Sequence, residues 1–70
     1  MSTTEASVSV EGMTCEGCAR SVSRAVSALP GVESVTVDLA GHRAVLRFDP
    51  ERVTLDDVRE AIRAAGFETP

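Results

Sequence analysis

Seventy residues, 43% hydrophobic and 26% charged, are enough for a single small globular domain, and without Trp or Tyr its core must be built from Val, Leu, Ile and Ala beside Phe48 and Phe67. The net charge of −4, with all seven cations dispersed arginines, argues against nucleic acid, whose phosphates demand a basic face. No apolar run approaches the ~18 residues of a membrane span and the N-terminus lacks the basic and apolar regions of a signal peptide, so the expectation is a soluble cytoplasmic protein with no membrane insertion.

Residues 1–6 are polar and read as a frayed, disordered tail to a domain that otherwise fills 1–70. Val8 and Val10 then alternate with Ser7 and Ser9, the period of a half-buried strand, until Glu11-Gly12. From Cys18 the period lengthens: Ala19, Val22, Val26 and Leu29 recur at three or four residues and predict an amphipathic helix, stopped by Pro30-Gly31. Val35, Val37 and Leu39 alternate next. Ala40-Gly41-His42 turns the chain, with Gly41 available for a positive φ, and Ala44, Leu46 and Phe48 complete a hairpin. Asp49-Pro50 breaks it. Thr54 and Asp57 resemble a capping box, Leu55, Val58, Ile62 and Ala65 trace a second helical face, and Gly66 stops it. Phe67 to Thr69 suffices for a short last strand. The order βαββαβ predicts an α+β, ferredoxin-like fold: a four-stranded antiparallel sheet with two helices on one face. In that path the loop holding Cys15 and Cys18, the turn at His42 and the Gly66-Phe67 junction share one end of the molecule.

The chemistry is concentrated in GMTCEGC, Gly12 to Cys18, which contains both cysteines of the chain. A disulfide between Cys15 and Cys18 would close a very short loop and remove little entropy from the unfolded chain. In a reducing cytosol the two are expected as thiols. A C-x-x-C at a helix N-terminus sets two sulfurs beside free N–H groups and partial positive charge, which favour thiolates, and thiolates select soft metals. Structural zinc and iron–sulfur clusters ask for four ligands, whereas the chain offers two cysteines and one histidine. Cu(I), satisfied by two sulfurs in a near-linear arrangement, matches that supply.

GMTCEGC with its following helix, then LPGVESVTVDL, RFDP and AGF, resembles the heavy-metal-associated domain, over roughly Ser7 to Glu68. That family comprises copper chaperones and the N-terminal metal-binding domains of copper-transporting P-type ATPases. The resemblance implies one Cu(I) per monomer held by Cys15 and Cys18 and passed on through brief three-coordinate thiolate exchange. The implied partner is a metal-binding domain of a copper-transporting ATPase or another copper protein. Relatives with Asp before the first cysteine lean towards zinc; Thr14 keeps the copper reading. Met13, a tempting thioether ligand, corresponds to a residue that points into the core and anchors the loop. Phe67 falls where bacterial chaperones often carry Tyr and eukaryotic ones Lys, and where ATPase domains often have Phe; it either covers the site from water or caps the core.

His42 reads as solvated turn, with a ligand role only across a metal-bridged dimer of a chain that is monomeric without metal. Arg20 and Arg24 lie one turn apart on the exposed face of the first helix. They suit an acidic docking patch on a partner, or a solubilising face with Glu16 paired to Arg20. A thioredoxin-like redox role would need a longer chain and a proline facing the thiols, and Pro30, Pro50 and Pro70 all fall at boundaries. Mercury-binding relatives usually carry an export signal, and no catalytic Ser/His/Asp set or carboxylate pair stands out, so the chain reads as a carrier and not an enzyme. Phe67 and the ending at Thr69-Pro70 favour the first domain of a copper ATPase. Met1 and the single domain favour a stand-alone metallochaperone, which is the expectation.

Overall fold

A computed structural model describes residues 3–70. Its elements are β1 (Thr4–Ser9), α1 (Glu16–Ser27), β2 (Val32–Asp38), β3 (Arg43–Phe48) and α2 (Leu55–Ala64). The sheet order is β1-β3-β2, antiparallel throughout, with β3 in the centre. Strand alternation decides which residues meet the helices. Ala44, Leu46 and Phe48 of β3 are buried, and join Val8, Val10, Val22, Val26, Val58 and Ile62 in one core, so both helices cover the same face of the sheet. On the other face the register aligns Glu5 with Arg47 and Ser34, and Ser9 with Arg43 and Asp38. Its composition is that of a surface left to water.

The helices form where the 3.6-residue period places them, and their ends are chemically explicit. At α2 the Thr54 hydroxyl accepts the Asp57 N–H at 3.2 Å while the Asp57 carboxylate accepts the Thr54 N–H at 3.0 Å, a complete capping box. At the other end Gly66 takes φ +99°. Its N–H bonds the Arg63 carbonyl at 2.9 Å and the Phe67 N–H bonds that of Ile62 at 3.2 Å, the paired closure known as a Schellman motif.

Three expectations need correction. The first concerns the tail. β1 begins at Thr4, because β3 extends far enough to pair Thr4, Glu5 and Ala6 with Phe48, Arg47 and Leu46; Met1 and Ser2 lie outside the described residues. The second concerns the hairpin. His42, at φ +52°, occupies the left-handed position expected of Gly41. Gly41 instead leaves room for the Asp38 carboxylate, which accepts the Gly41 N–H at 3.0 Å and which a Cβ there would displace.

The third concerns the last strand, which is a single bridge, so the sheet has three strands. Glu11 and Glu68 exchange backbone hydrogen bonds of 2.7 and 3.1 Å. Pairing stops on both sides for local reasons. Gly12, at φ +97°, turns the chain away, and the Phe67 N–H is already engaged by the helix end. In the other direction the next exchanging pair would be Ser9 with Pro70, and proline has no N–H to give.

Candidate metal centre

The loop between β1 and α1 is fixed at its start by backbone. The Val10 N–H donates to the His42 carbonyl at 2.9 Å, and Glu11 is tied to Glu68. Gly12 then reverses direction, with the Phe67 ring close by: a Cβ at Gly12 would stand 3.6 Å from its Cδ1. Met13 follows, 3% exposed and inside the core cluster. Its thioether is thus consumed in packing and anchors the loop from below. Thr14 and Cys15 emerge into solvent.

Cys15 is the N-cap of α1, with extended φ −154° and ψ 168°. Its side chain makes no capping bond, which leaves the sulfur free, while its carbonyl accepts from the Cys18 and Ala19 N–H groups at 3.1 and 3.2 Å. Cys18 therefore sits in the third helical position, one turn above the cap, and the helix geometry brings its sulfur back over that of Cys15. The two Sγ atoms lie 3.3 Å apart and neither is in a disulfide. Cys15 is exposed and Cys18 half-buried against the core.

The Cys18 thiol is held below its ordinary range, chiefly by hydrogen bonding from the Thr14 backbone and next by the Cys15 side chain. The Thr14 hydroxyl adds a longer contact at 3.9 Å. This part for Thr14 was not legible in the sequence, because a backbone N–H aimed at a sulfur leaves no trace in residue type. The result is a dithiol in which one member gives up its proton readily, on an open loop, at the positive end of a helix.

His42 and Phe67 fall at the same end without joining the pair. His42 is exposed, and among the described residues no group of three or more His, Cys, Asp or Glu side chains converges as a metal site. Phe67 is half-buried and packs against the core beside Gly12. Arg20 and Arg24 are exposed on α1. Ion pairs among the described residues form between Arg43 and Asp38 at 3.5 Å and between Arg59 and Asp56 at 3.2 Å, and the expected Glu16–Arg20 pair is absent. Glu16 instead lies in the first turn of α1, where its charge suits the helix end. No helix among the described residues is long and apolar enough to cross a membrane.

The structure is thus a small α+β fold with a Cys-x-x-Cys pair, Cys15 exposed and Cys18 half-buried, at the start of its first helix. The chain belongs to the family described as "Heavy-metal-associated domain", whose model matches residues 7–68. It is 50% identical over 58 residues to "Copper-transporting ATPase 2" of Rhizobium meliloti (strain 1021), covering 83% of this chain and 7% of that protein. Across the copper-transporting ATPases it resembles, the chain spans only 4% to 8% of their length. Among solved structures, a copper binding domain from HMA7, a P-type ATPase, superposes with TM-score 0.91 at 41% identity, over 94% of this chain and 89% of that one. The CopZ metallochaperone superposes with TM-score 0.93 at 27% identity, over 96% and 100%.

Proposed function

We propose that the domain holds one Cu(I) between Cys15 and Cys18 and delivers it in the cytosol by thiolate exchange to the metal-binding domain of a copper-transporting P-type ATPase or another copper protein. The observation that carries this reading is the sulfur pair itself: two free thiols 3.3 Å apart, one exposed and one half-buried, at a helix N-terminus, with no third ligand gathered beside them among the described residues. Thiolate softness selects Cu(I) among common cellular cations, and two-coordination suits it where zinc would want four ligands. A linear bis-thiolate needs sulfurs about 4.6 Å apart if each bond is about 2.3 Å, the zinc–thiolate length. Loading therefore opens the pair by about 1 Å, and Cys15, exposed and without a capping bond, is the side chain free to rotate.

Delivery follows from the openness of the loop. An incoming partner thiolate adds to the bound Cu(I) and one of the two original Cu–S bonds breaks; a second partner thiolate then adds and the other original bond breaks. The copper stays monovalent throughout, and each departing sulfur leaves as a thiolate that takes a proton from water. No catalytic group is needed.

A second reading has specific support: the same site as one domain of a copper ATPase, where copper would regulate transport. The higher identity to the HMA7 domain than to CopZ favours it, as does Phe67. Immunodetection of the native product separates the two, since a carrier is a small single-domain species and the alternative is far longer.

The chemistry itself is tested by anaerobic competition of the reduced protein for Cu(I) against a chromogenic chelator, with Zn(II) in parallel and native mass spectrometry for stoichiometry. The expected result is one Cu(I) per monomer, held far more tightly than zinc. Cys15→Ser and Cys18→Ser should each abolish tight binding while the circular dichroism spectrum is kept. Zinc preference, or tight Cu(I) binding by either variant, overturns the proposal.

A further inference from the structure

Two sulfurs 3.3 Å apart suit some bound atoms better than others. With bonds of about 2.3 Å, this separation subtends about 90° at the atom they share, whereas a linear ion needs them about 4.6 Å apart. An angle close to a right angle is that of a three-bonded p-block atom carrying a lone pair, trivalent arsenic above all. Copper must part the thiols; trivalent arsenic takes them where they stand.

The ligand count narrows the class further. Among the described residues no third Cys, His or carboxylate joins the pair. Inorganic arsenite has three exchangeable oxygens and gains most from three thiols. An arsenical with one carbon substituent has only two exchangeable positions, and the third bond is occupied before it arrives. Space for that substituent exists, because Cys15 and Thr14 are exposed and the loop opens to solvent. We propose that Cys15 and Cys18 form a preorganised site for monosubstituted trivalent arsenicals, R–As(III), which close a ring across the two sulfurs. The reaction with an oxide, R–As=O, forms two As–S bonds and breaks two S–H bonds. The arsenic oxygen leaves as water with the two thiol protons. Arsenic remains trivalent and neither sulfur is oxidised.

This proposal uses the cysteines of the copper reading but does not depend on it, and the test keeps them apart. Reduced protein, with two free thiols verified by titration, is mixed with equimolar phenylarsine oxide and examined by intact mass spectrometry, with arsenite in a parallel arm. The expected product is a 1:1 adduct carrying one phenylarsenic unit and lacking two hydrogens, reversed by dimercaptopropanol and absent in Cys15→Ser and Cys18→Ser. Arsenite should bind more weakly. The folded chain should also hold phenylarsine oxide about tenfold more tightly than the linear peptide GMTCEGC, because the fold has already brought the two sulfurs together. An adduct that survives in either single-cysteine variant, equal affinity for arsenite, or no advantage over the peptide would overturn the proposal, whatever the Cu(I) titration shows.

Discussion

Cys18 and Met13 lie five residues apart and divide the work of the loop between chemistry and anchorage. The lowered Cys18 thiol arises first from the Thr14 backbone and only second from Cys15. In a Cys15→Ser variant the larger cause remains, so the pH midpoint for alkylation of Cys18 by iodoacetamide should stay below that of the same chain in denaturant. A midpoint equal to the denatured value would remove Thr14 from the account. The sign of the linkage follows. A thiol whose folded pKa is depressed contributes stability above the ordinary thiol range and loses it as pH falls through the lowered value. Metal capture moves with it, since fewer protons need displacing at neutral pH. Met13 acts from below. It is 3% exposed within the core, so Met13→Ala should cost about 2–5 kcal/mol in urea unfolding. Cu(I) affinity, measured where the variant is still folded, should change little. A sharp loss of affinity with unchanged stability would make the sulfur a ligand after all.

Helices were legible in the sequence because each one's determinants are local. Val22 and Val26, Val58 and Ile62 recur at helical spacing and are the residues fully buried, and the Thr54–Asp57 box closes within four residues. The β elements were legible in their alternation but not at their ends. Whether Thr4 is strand depends on how far β3 extends on the far side of the sheet, and whether Phe67–Thr69 is strand depends on competing uses of its N–H groups. Neither is written near those residues. The hairpin shows the same limit: Gly41 invites a positive φ, but the Asp38 carboxylate claims the space beside it and His42 takes the left-handed position instead. A non-glycine residue there is strained by roughly 1–2 kcal/mol, partly offset by the freedom glycine would add to the unfolded chain at about 0.5–1 kcal/mol. His42→Gly should accordingly raise stability slightly, by about 1 kcal/mol or less. It should leave Cu(I) affinity and the loaded oligomeric state unaltered. Weaker binding, or loss of a metal-bridged dimer, would restore His42 as a ligand.

At the scale of the whole molecule the thiols stand at the edge of the core, tied to it by Met13 and by the packed side of Cys18. Cys15 is exposed and Cys18 half-buried at one end of a domain whose buried hydrophobic residues are almost all Val, Ile, Leu and Phe. Exchange at the loop can therefore proceed without repacking the sheet. A domain this small has only ~3–5 kcal/mol of stability from one core, so a ligand that binds the native pair alone becomes a large fraction of the total. Folding brings the Cys15 and Cys18 sulfurs to 3.3 Å and anchors their loop through Met13; unfolding loses both. At free Cu(I) a hundredfold above its dissociation constant, mass action adds about 2.7 kcal/mol. For a domain of 70 residues that corresponds to a rise in Tm of roughly 10–20 °C. Differential scanning of the reduced protein with buffered Cu(I) should show this rise, growing with the logarithm of free copper and absent in Cys15→Ser. A Tm that did not move, in protein shown by mass to be loaded, would mean that the unfolded Cys-x-x-Cys segment binds copper as well as the fold does. The geometry of the loop would then serve access and transfer, and affinity would belong to the two thiols alone.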